Sequence, residues 1–218
     1  MFEDLREAKY KAEIAALEAE QAAQAAIARV KTFEADLLEH RVLNERASSD
    51  EANIYYFHGP VNALSSSDCI ESAGFWARKR PGSEITIVFN SPGGGVFEGL
   101  ALYDFIKDLR ARGHKVVTKS VGMAASMGGI LLQAGDERVM GPNAYMLIHE
   151  VSSGTMGKVS EMEDALEFST RLQERLLGIL AERSTMTTTQ IKRKWKKKDW
   201  WLDAPEALEL GFIDRIEE

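Results

Sequence analysis

The alternation of apolar and polar positions beyond residue 54 predicts strands separated by helices. Apolar runs typical of buried strands occur in IYYFHGPV from Ile54, in EITIVFN at 84–90, in HKVVTKSV from His114, and in ERVMGPNAYMLIHE. Helical spacing marks SSSDCIESAGFWARK, whose Ser or Asp residues can serve as an N-cap, and VFEGLALYDFIKDLRARG, which Gly113 closes. Strands that alternate with helices predict an α/β protein with a mostly parallel sheet or stacked βαβ units.

The last third of the chain is predicted to be mainly helical. A long helix is expected from residue 158 to about 183, and a shorter one over 188–198. The closing segment APEALELGFIDRIEE reads as a helix, a glycine stop and a short final strand.

Residues 1–47 form a separate compositional unit that predicts one long helix. The unit is rich in Ala, Glu, Leu and Arg, and the stretch from Arg6 to Arg46 contains neither Gly nor Pro. Gln21 and Gln24 interrupt the apolar stripe, so a strict heptad coiled coil is not sustained; the stripe comprises Tyr10, Ile14, Leu17, Ile27, Val30 and Leu37. Such a helix must pack on its own body, on another subunit or on an outside partner, and we favour assembly or partner binding over a spacer.

The segment ASSDEAN at 47–53 reads as a linker. The predicted organisation is therefore a helical extension at 1–47 and a globular domain at 48–218.

Composition narrows the classes of function. Cys69 is the single cysteine, which excludes an internal disulfide and a cysteine-based zinc site. The N-terminus is charged and has no apolar signal region, and no run of 18 apolar residues could span a bilayer, so we expect a cytoplasmic protein without a membrane partner. No ligand cluster is present in the sequence, so neither a metal nor an organic cofactor is expected.

The net charge of −7 argues against nucleic-acid binding by the chain as a whole, with one local exception. The stretch IKRKWKKKDWW at 191–201 holds six basic residues among three tryptophans. One interpretation is a patch for nucleic acid or an acidic partner. The other, which we favour, is a solvated helix face with tryptophans packed beneath it.

Two unusual segments are expected to meet if the sheet is parallel. SPGGG follows the strand at 84–90, and Ser126 opens a helix after the strand at 114–121, so both lie at carboxyl ends of strands, where α/β folds place their sites. The glycines suit a structural turn, a phosphate site or an exposed N–H for a developing oxyanion. A P-loop is not matched, because its Lys-Ser/Thr pair is missing.

Ser126 is the hydroxyl in VGMAASMGGILLQAG, and alone it could be a small residue at a tight contact. The nucleophile pattern G-x-S-x-G is not met, because Ala124 stands two residues before it. A nucleophilic serine needs a base. Of four histidines, His149 ends the apolar run AYMLIH, so a buried strand would deliver its ring to a strand end, although a satisfied core histidine is the alternative. Among 34 acids, Asp199 stands out mildly between the basic run and two tryptophans.

From about Ile54 onward the chain resembles the Clp protease proteolytic subunit (ClpP) family of serine peptidases. The matching fragments occur in the family's order and spacing: NSPGG at 90–94, YD at 103–104, AASMGG at 124–129 followed by LLQAG, MLIHE at 146–150, and DWWLDAPEALELGFID at 199–214. The resemblance implies a spiral of ββα units, as in the ClpP and crotonase folds. It also implies hydrolysis of peptide bonds through an acyl-enzyme.

The resemblance assigns a role to five positions. Ser126 matches the nucleophile, His149 the base and Asp199 the orienting carboxylate. The backbone N–H groups of Gly94 and Met127 match the family's oxyanion hole. The region after His149 matches the loop and long helix through which family members pack rings, so a homo-oligomeric ring or double ring acting on peptide or protein substrates is expected.

The chain also departs from the family. Glu150-Val151 replaces a usual Gln-Pro, Gly95 replaces a usual Val, and RSTM replaces HTG after the long helix. Residues 1–47 have no match in the short N-terminal loops that dock an unfoldase ATPase, so an ATPase and a capsid or scaffold protein are both considered as their partner. Divergent members of this kind resemble phage enzymes that mature proheads. A catalytically silent ring-forming scaffold and a crotonase-type acyl-CoA enzyme are the alternative functions.

Overall fold

The computed structural model describes residues 20–21, 23–33, 35–36, 52–152, 154, 156–196 and 198–217. The chain divides into two units, Met1–Glu45 and Arg46–Glu218. The described residues of the first unit are helical and solvent-exposed. The predicted apolar positions Tyr10, Ile14, Leu17 and Leu37 lie outside the described residues, as do residues 47–51 of the predicted linker. The domain division at residue 47 stays a prediction.

The described part of the second unit is built on one seven-stranded sheet. Its strands are β1 (Ile54–His58), β2 (Ile85–Ser91), β3 (Val116–Ala125), β4 (Glu137–Met140), β5 (Tyr145–Ile148), β6 (Trp200–Asp203) and β7 (Arg215–Ile216). The main path runs β1-β2-β3-β4-β7, while β5 pairs with the far end of β3 and with β6.

Between these strands, the described residues form six helices. They are α1 (Ala63–Lys79), α2 (Val96–Ala111), α3 (Met127–Leu132), α4 (Val159–Glu182), α5 (Thr188–Trp195) and α6 (Ala204–Glu209). None of the helices in the described residues is long and apolar enough to cross a membrane.

All strand pairs in the described sheet are parallel except β5–β6, which is antiparallel. The predicted α/β class with a mostly parallel sheet is therefore confirmed. The prediction missed β6, because WWLD is only four residues long and lies directly between a basic run and a helix.

Some predicted helix and strand boundaries were wrong by a few residues. Helix α1 begins at Ala63 rather than in SSSD, because the Asn62 side chain accepts hydrogen bonds from the N–H groups of Leu64 and Ser65, each at 3.0 Å. Helix α5 ends at Trp195 rather than at residue 198. Strand β3 extends to Ala125, so it reaches the residue before Ser126.

A buried arginine of β4 joins three segments of the chain: the end of α3, the turn after α6 and the residue before β7. The Arg138 side chain is 7% exposed and donates to Asp214 at 2.6 and 3.0 Å, to Gln133 Oε1 at 2.9 Å and to the Gly211 carbonyl at 2.9 Å. Partial burial alone would raise the pKa of Asp214, but hydrogen bonds from Arg138 and its charge outweigh that effect and hold the pKa below its ordinary value.

We predict that Asp214→Asn destabilises the fold at neutral pH by about 1–3 kcal/mol, because the buried guanidinium loses its counter-charge. A lowered folded-state pKa gives stability that is present above the unfolded pKa of about 3.9 and is lost as pH falls through the folded value. The difference from wild type should therefore shrink under acid conditions. Urea unfolding at several pH values measures this.

Asp108→Asn is the matched control, because Asp108 pairs with Arg112 at the surface, where both side chains are largely exposed. That change should cost no more than about 1 kcal/mol. Equal losses for the two variants would contradict the importance of the buried pair.

Candidate active site

Ser126 lies at the sharp turn between β3 and α3. Its N–H donates to the Leu147 carbonyl of β5 at 2.9 Å, and its own carbonyl accepts from Gly129 N at 3.0 Å. The backbone is therefore held on both sides, by the neighbouring strand and by the first turn of α3. The residue itself is partly exposed.

The backbone of Ser126 has φ 54° and ψ −119°, a conformation that non-glycine residues rarely adopt. Such a residue costs of order 1–3 kcal/mol and persists only where the surroundings enforce it, most often at functional sites. The arrangement is a strained strand-to-helix turn that exposes a serine, as in a nucleophile elbow. The sequence pattern of that motif is missing here, but the backbone geometry is present.

The glycine-rich turn after β2 packs directly on the Ser126 turn, as expected for parallel strands. A Cβ atom on Gly93 would lie 2.6 Å from both the Ala125 carbonyl oxygen and Ser126 Cβ, and 2.9 Å from Met127 N. Strands β2 and β3 pair up to Ser91 and Ala124, so both turns leave the sheet at the same edge. The contact leaves no room for a side chain at position 93.

Within the described part of the chain, two backbone N–H groups at this contact have no regular backbone partner. The Val61 N–H donates to the Gly93 carbonyl, and the Val61 carbonyl accepts from the Gly95 N–H, both at 2.8 Å. Because the residues on either side of Gly94 form these bonds, the N–H of Gly94 faces away from Val61. Met127 is the first residue of α3, and the N–H of a first helical residue has no partner inside its helix.

A cavity of about 180 Å³ brings four of the five predicted site residues together. Ser126, His149, Gly94 and Met127 all line it. His149 directly follows β5, whose pairing with β3 carries the histidine to the same end of the sheet as Ser126. His149 therefore lies at a strand end, as expected, but side chains of β5 alternate between buried and more exposed positions, so this is not the fully buried strand that the sequence predicted.

The cavity wall is mostly apolar and includes side chains that were not among the predicted site residues. Its apolar lining includes Val96, Ile130, Met146, Leu176, Leu180 and Trp195. A cavity of roughly 150 Å³ can hold a molecule the size of benzene, so this one suits a single apolar side chain. The spacing of Leu176 and Leu180, one helical turn apart on α4, was the available signal.

Asp199 lies outside the lining of this cavity and is exposed. Antiparallel β5 and β6 pair as far as Ile148 and Trp200, so His149 and Asp199 are the two residues that adjoin this last pair. Among the described residues, no hydrogen bond joins Ser126 to His149 or His149 to Asp199; catalytic hydrogen bonds often tighten only when substrate binds.

Cys69 is not a competing nucleophile. Its side chain is fully buried, and burial, together with the nearby charge of Asp68, raises the pKa of the thiol far above its ordinary value. The thiol therefore stays protonated and out of contact with solvent.

The sequence is similar to known proteins. The sequence model of one protein family, described as Clp protease, matches residues 40–218. A protein of Porphyromonas gingivalis named ATP-dependent Clp protease proteolytic subunit is 38% identical over 140 residues. That alignment covers 63% of this chain and 61% of the length of the other protein.

We predict that Gly93→Ala destabilises the protein and disrupts the site, because its new methyl group would collide with backbone atoms of the Ser126 turn. Gly113→Ala is the matched control: both glycines have φ +89°, but a Cβ at 113 meets nothing within 4 Å. The control should lose about 1–2 kcal/mol for the left-handed backbone alone. Gly93→Ala should lose about 1–3 kcal/mol more. Thermal unfolding of both variants measures the difference, and equal losses would contradict the tight contact.

Proposed function

The chain belongs to the Clp protease family, and from that premise we propose that it is a serine endopeptidase. The observation that carries the proposal is the meeting, in one cavity, of a serine on a strained turn, a histidine and two N–H groups. These are the parts that acyl transfer needs: a nucleophile, a base and a site for the oxyanion.

In the proposed reaction, Ser126 attacks the scissile carbonyl while His149 takes the hydroxyl proton. The N–H groups of Gly94 and Met127 donate to the oxyanion of the tetrahedral intermediate. His149 then protonates the leaving amine, and water hydrolyses the acyl-enzyme by the same route in reverse. Asp199 holds the imidazole in the required tautomer, a role supported by the β5–β6 register.

The apolar cavity beside Ser126 is proposed to accept the substrate side chain that precedes the scissile bond. Full burial of a Leu- or Met-sized side chain is worth about 1.5–3 kcal/mol. A peptide with such a residue at that position should therefore be a better substrate than one with a small polar residue there.

We further propose that the protein works as an oligomeric ring. The N-terminal half of α4 exposes Val159, Met162 and Leu166 at spacings of three and four residues, so one apolar stripe of this helix is left uncovered in the described chain. Association through this stripe would bury it. A role in prohead maturation stays a prediction of the sequence resemblance.

We predict that Ser126→Ala and His149→Ala each lower kcat for peptide cleavage by orders of magnitude, up to about 10⁶-fold, because the nucleophile and its base act as a unit. Labelling by a fluorophosphonate should disappear in Ser126→Ala. His58→Ala is the matched control, because His58 is an exposed histidine at the end of β1. Undiminished labelling of Ser126→Ala would refute the assignment, and no labelling of the assembled wild type would favour a silent scaffold.

We predict that Asp199→Asn lowers kcat by about 10³–10⁴-fold with little change in KM, because an amide cannot hold the same imidazole tautomer or stabilise the imidazolium. Glu150→Gln is the control, since Glu150 is an acid that lines the cavity next to His149. Steady-state kinetics on one peptide compares the two. A larger loss for Glu150→Gln would move the orienting role to that residue.

A further inference from the structure

The basic segment, residues 192–198, is not used by the chemistry proposed above. It contains six Lys or Arg residues and Trp195 in seven positions of a chain whose net charge is −7. It comprises the last turn of α5 and the connection that leads to Asp199 and β6.

The basic segment borders the cavity that contains Ser126. Trp195 is 3% exposed and forms part of the cavity wall. Lys194 and Lys196, on either side of it in the chain, are exposed. A hydrogen bond from Lys198 N to the Trp195 carbonyl, at 3.0 Å, keeps the following turn beside this wall. Exposed cations therefore flank the tryptophan of the cavity wall in the chain.

Much of this charge is not neutralised within the described chain. Lys192 pairs with Glu174, and the Lys194 ammonium lies 5.7 Å from the centre of the Trp200 ring. Arg193, Lys196 and Lys198 are exposed and have no ion pair among the described residues. The C-terminus of α5 favours nearby cations, but neighbouring like charges oppose that effect.

The tryptophans indicate which partner fits. Trp195 and Trp200 are both buried, so neither ring can stack on a nucleobase, the contact that single-stranded nucleic acid uses most. Trp201 is 47% exposed, but it points to the opposite face of β6 from Trp200, the ring beside which Lys194 lies. The basic segment borders a cavity that holds about one apolar side chain, which suits a polypeptide. A short acidic polypeptide beside the bond to be cleaved satisfies both conditions.

We infer that the basic segment selects substrates by binding Asp- or Glu-rich residues that flank the scissile bond. This inference rests on the proposed peptidase function and adds a substrate class to it. A local positive potential next to a cleft raises the encounter rate with anionic ligands by about tenfold or more at low ionic strength. Salt screens such exposed charges, so the preference should fall as ionic strength rises.

The test compares two internally quenched peptides that share one cleavage site and differ only in a flank of Glu or of Gln residues. With the full-length wild type at low salt, kcat/KM should be about tenfold higher for the Glu-flanked peptide, mainly through KM. At about 1 M salt the two peptides should become equal. Equal kcat/KM at low salt would overturn the inference and identify the segment as a solvated helix face.

Arg193→Glu/Lys196→Glu should abolish or reverse this preference while leaving kcat for the Gln-flanked peptide unchanged. Arg78→Glu/Lys79→Glu is the matched control, because those two exposed cations also lie in the last turn of a helix, α1. An equal loss of preference in both double variants would assign the effect to net charge and overturn the local site. Light scattering checks that each variant keeps the wild-type assembly.

A binding measurement separates this inference from the proposed chemistry. Fluorescence anisotropy of a labelled Glu-rich peptide with full-length Ser126→Ala needs no turnover, so it tests the basic segment even if Ser126 is not the nucleophile. Salt-sensitive binding that Arg193→Glu/Lys196→Glu removes would support the inference. Binding of a single-stranded oligonucleotide in preference to the peptide would overturn it in favour of a nucleic-acid surface.

Discussion

A backbone contact too close for a side chain organises the candidate site. The turns that end β2 and β3 meet at Gly93, where even a methyl group would lie within 2.6 Å of Ser126. Only glycine allows this approach, and the approach brings the Gly94 N–H to the same cavity as Met127. The strain at Ser126 is tolerated because this contact and the bond to Leu147 leave the backbone no relaxed alternative.

The sheet explains how residues far apart in the chain reach one place. Parallel pairing of β3 with β5 carries Ser126 and His149 to the same end of the sheet, and antiparallel β6 then returns Asp199 to the His149 end of β5. Strand β5 is therefore shared by both pairings, because it hydrogen-bonds to β3, which leads to Ser126, and to β6, which follows Asp199. A shift of one residue in either register would move its side chains to the opposite face and separate the groups.

Much of this could be predicted from the sequence, and what was missed has physical causes. The strand at 84–90, the helix closed by Gly113 and the meeting of SPGGG with Ser126 follow from local periodicity and the rule for parallel strand ends. Strand β6 was missed because four residues carry too little periodicity. The start of α1 was missed because the N-cap is Asn62 and not one of the serines that follow it. The cavity wall depends on tertiary packing of α4 and α5; the spacing of Leu176 and Leu180 indicates an apolar face of α4, but not what that face packs against.

Under the proposed function, the chemistry and the selection of substrate come from different parts of the fold. The proposed nucleophile, base and N–H donors lie on turns at the ends of strands, whereas Leu176, Leu180 and Trp195 of the wall belong to α4 and α5. These two helices contact each other, and α4 contacts α3, so substitutions in their side chains can reshape the wall without changing the strand pairing that positions Ser126. The basic segment continues from that wall into solvent. If both proposals hold, its charge changes which polypeptides enter the cavity, while the proposed reaction at Ser126 stays the same.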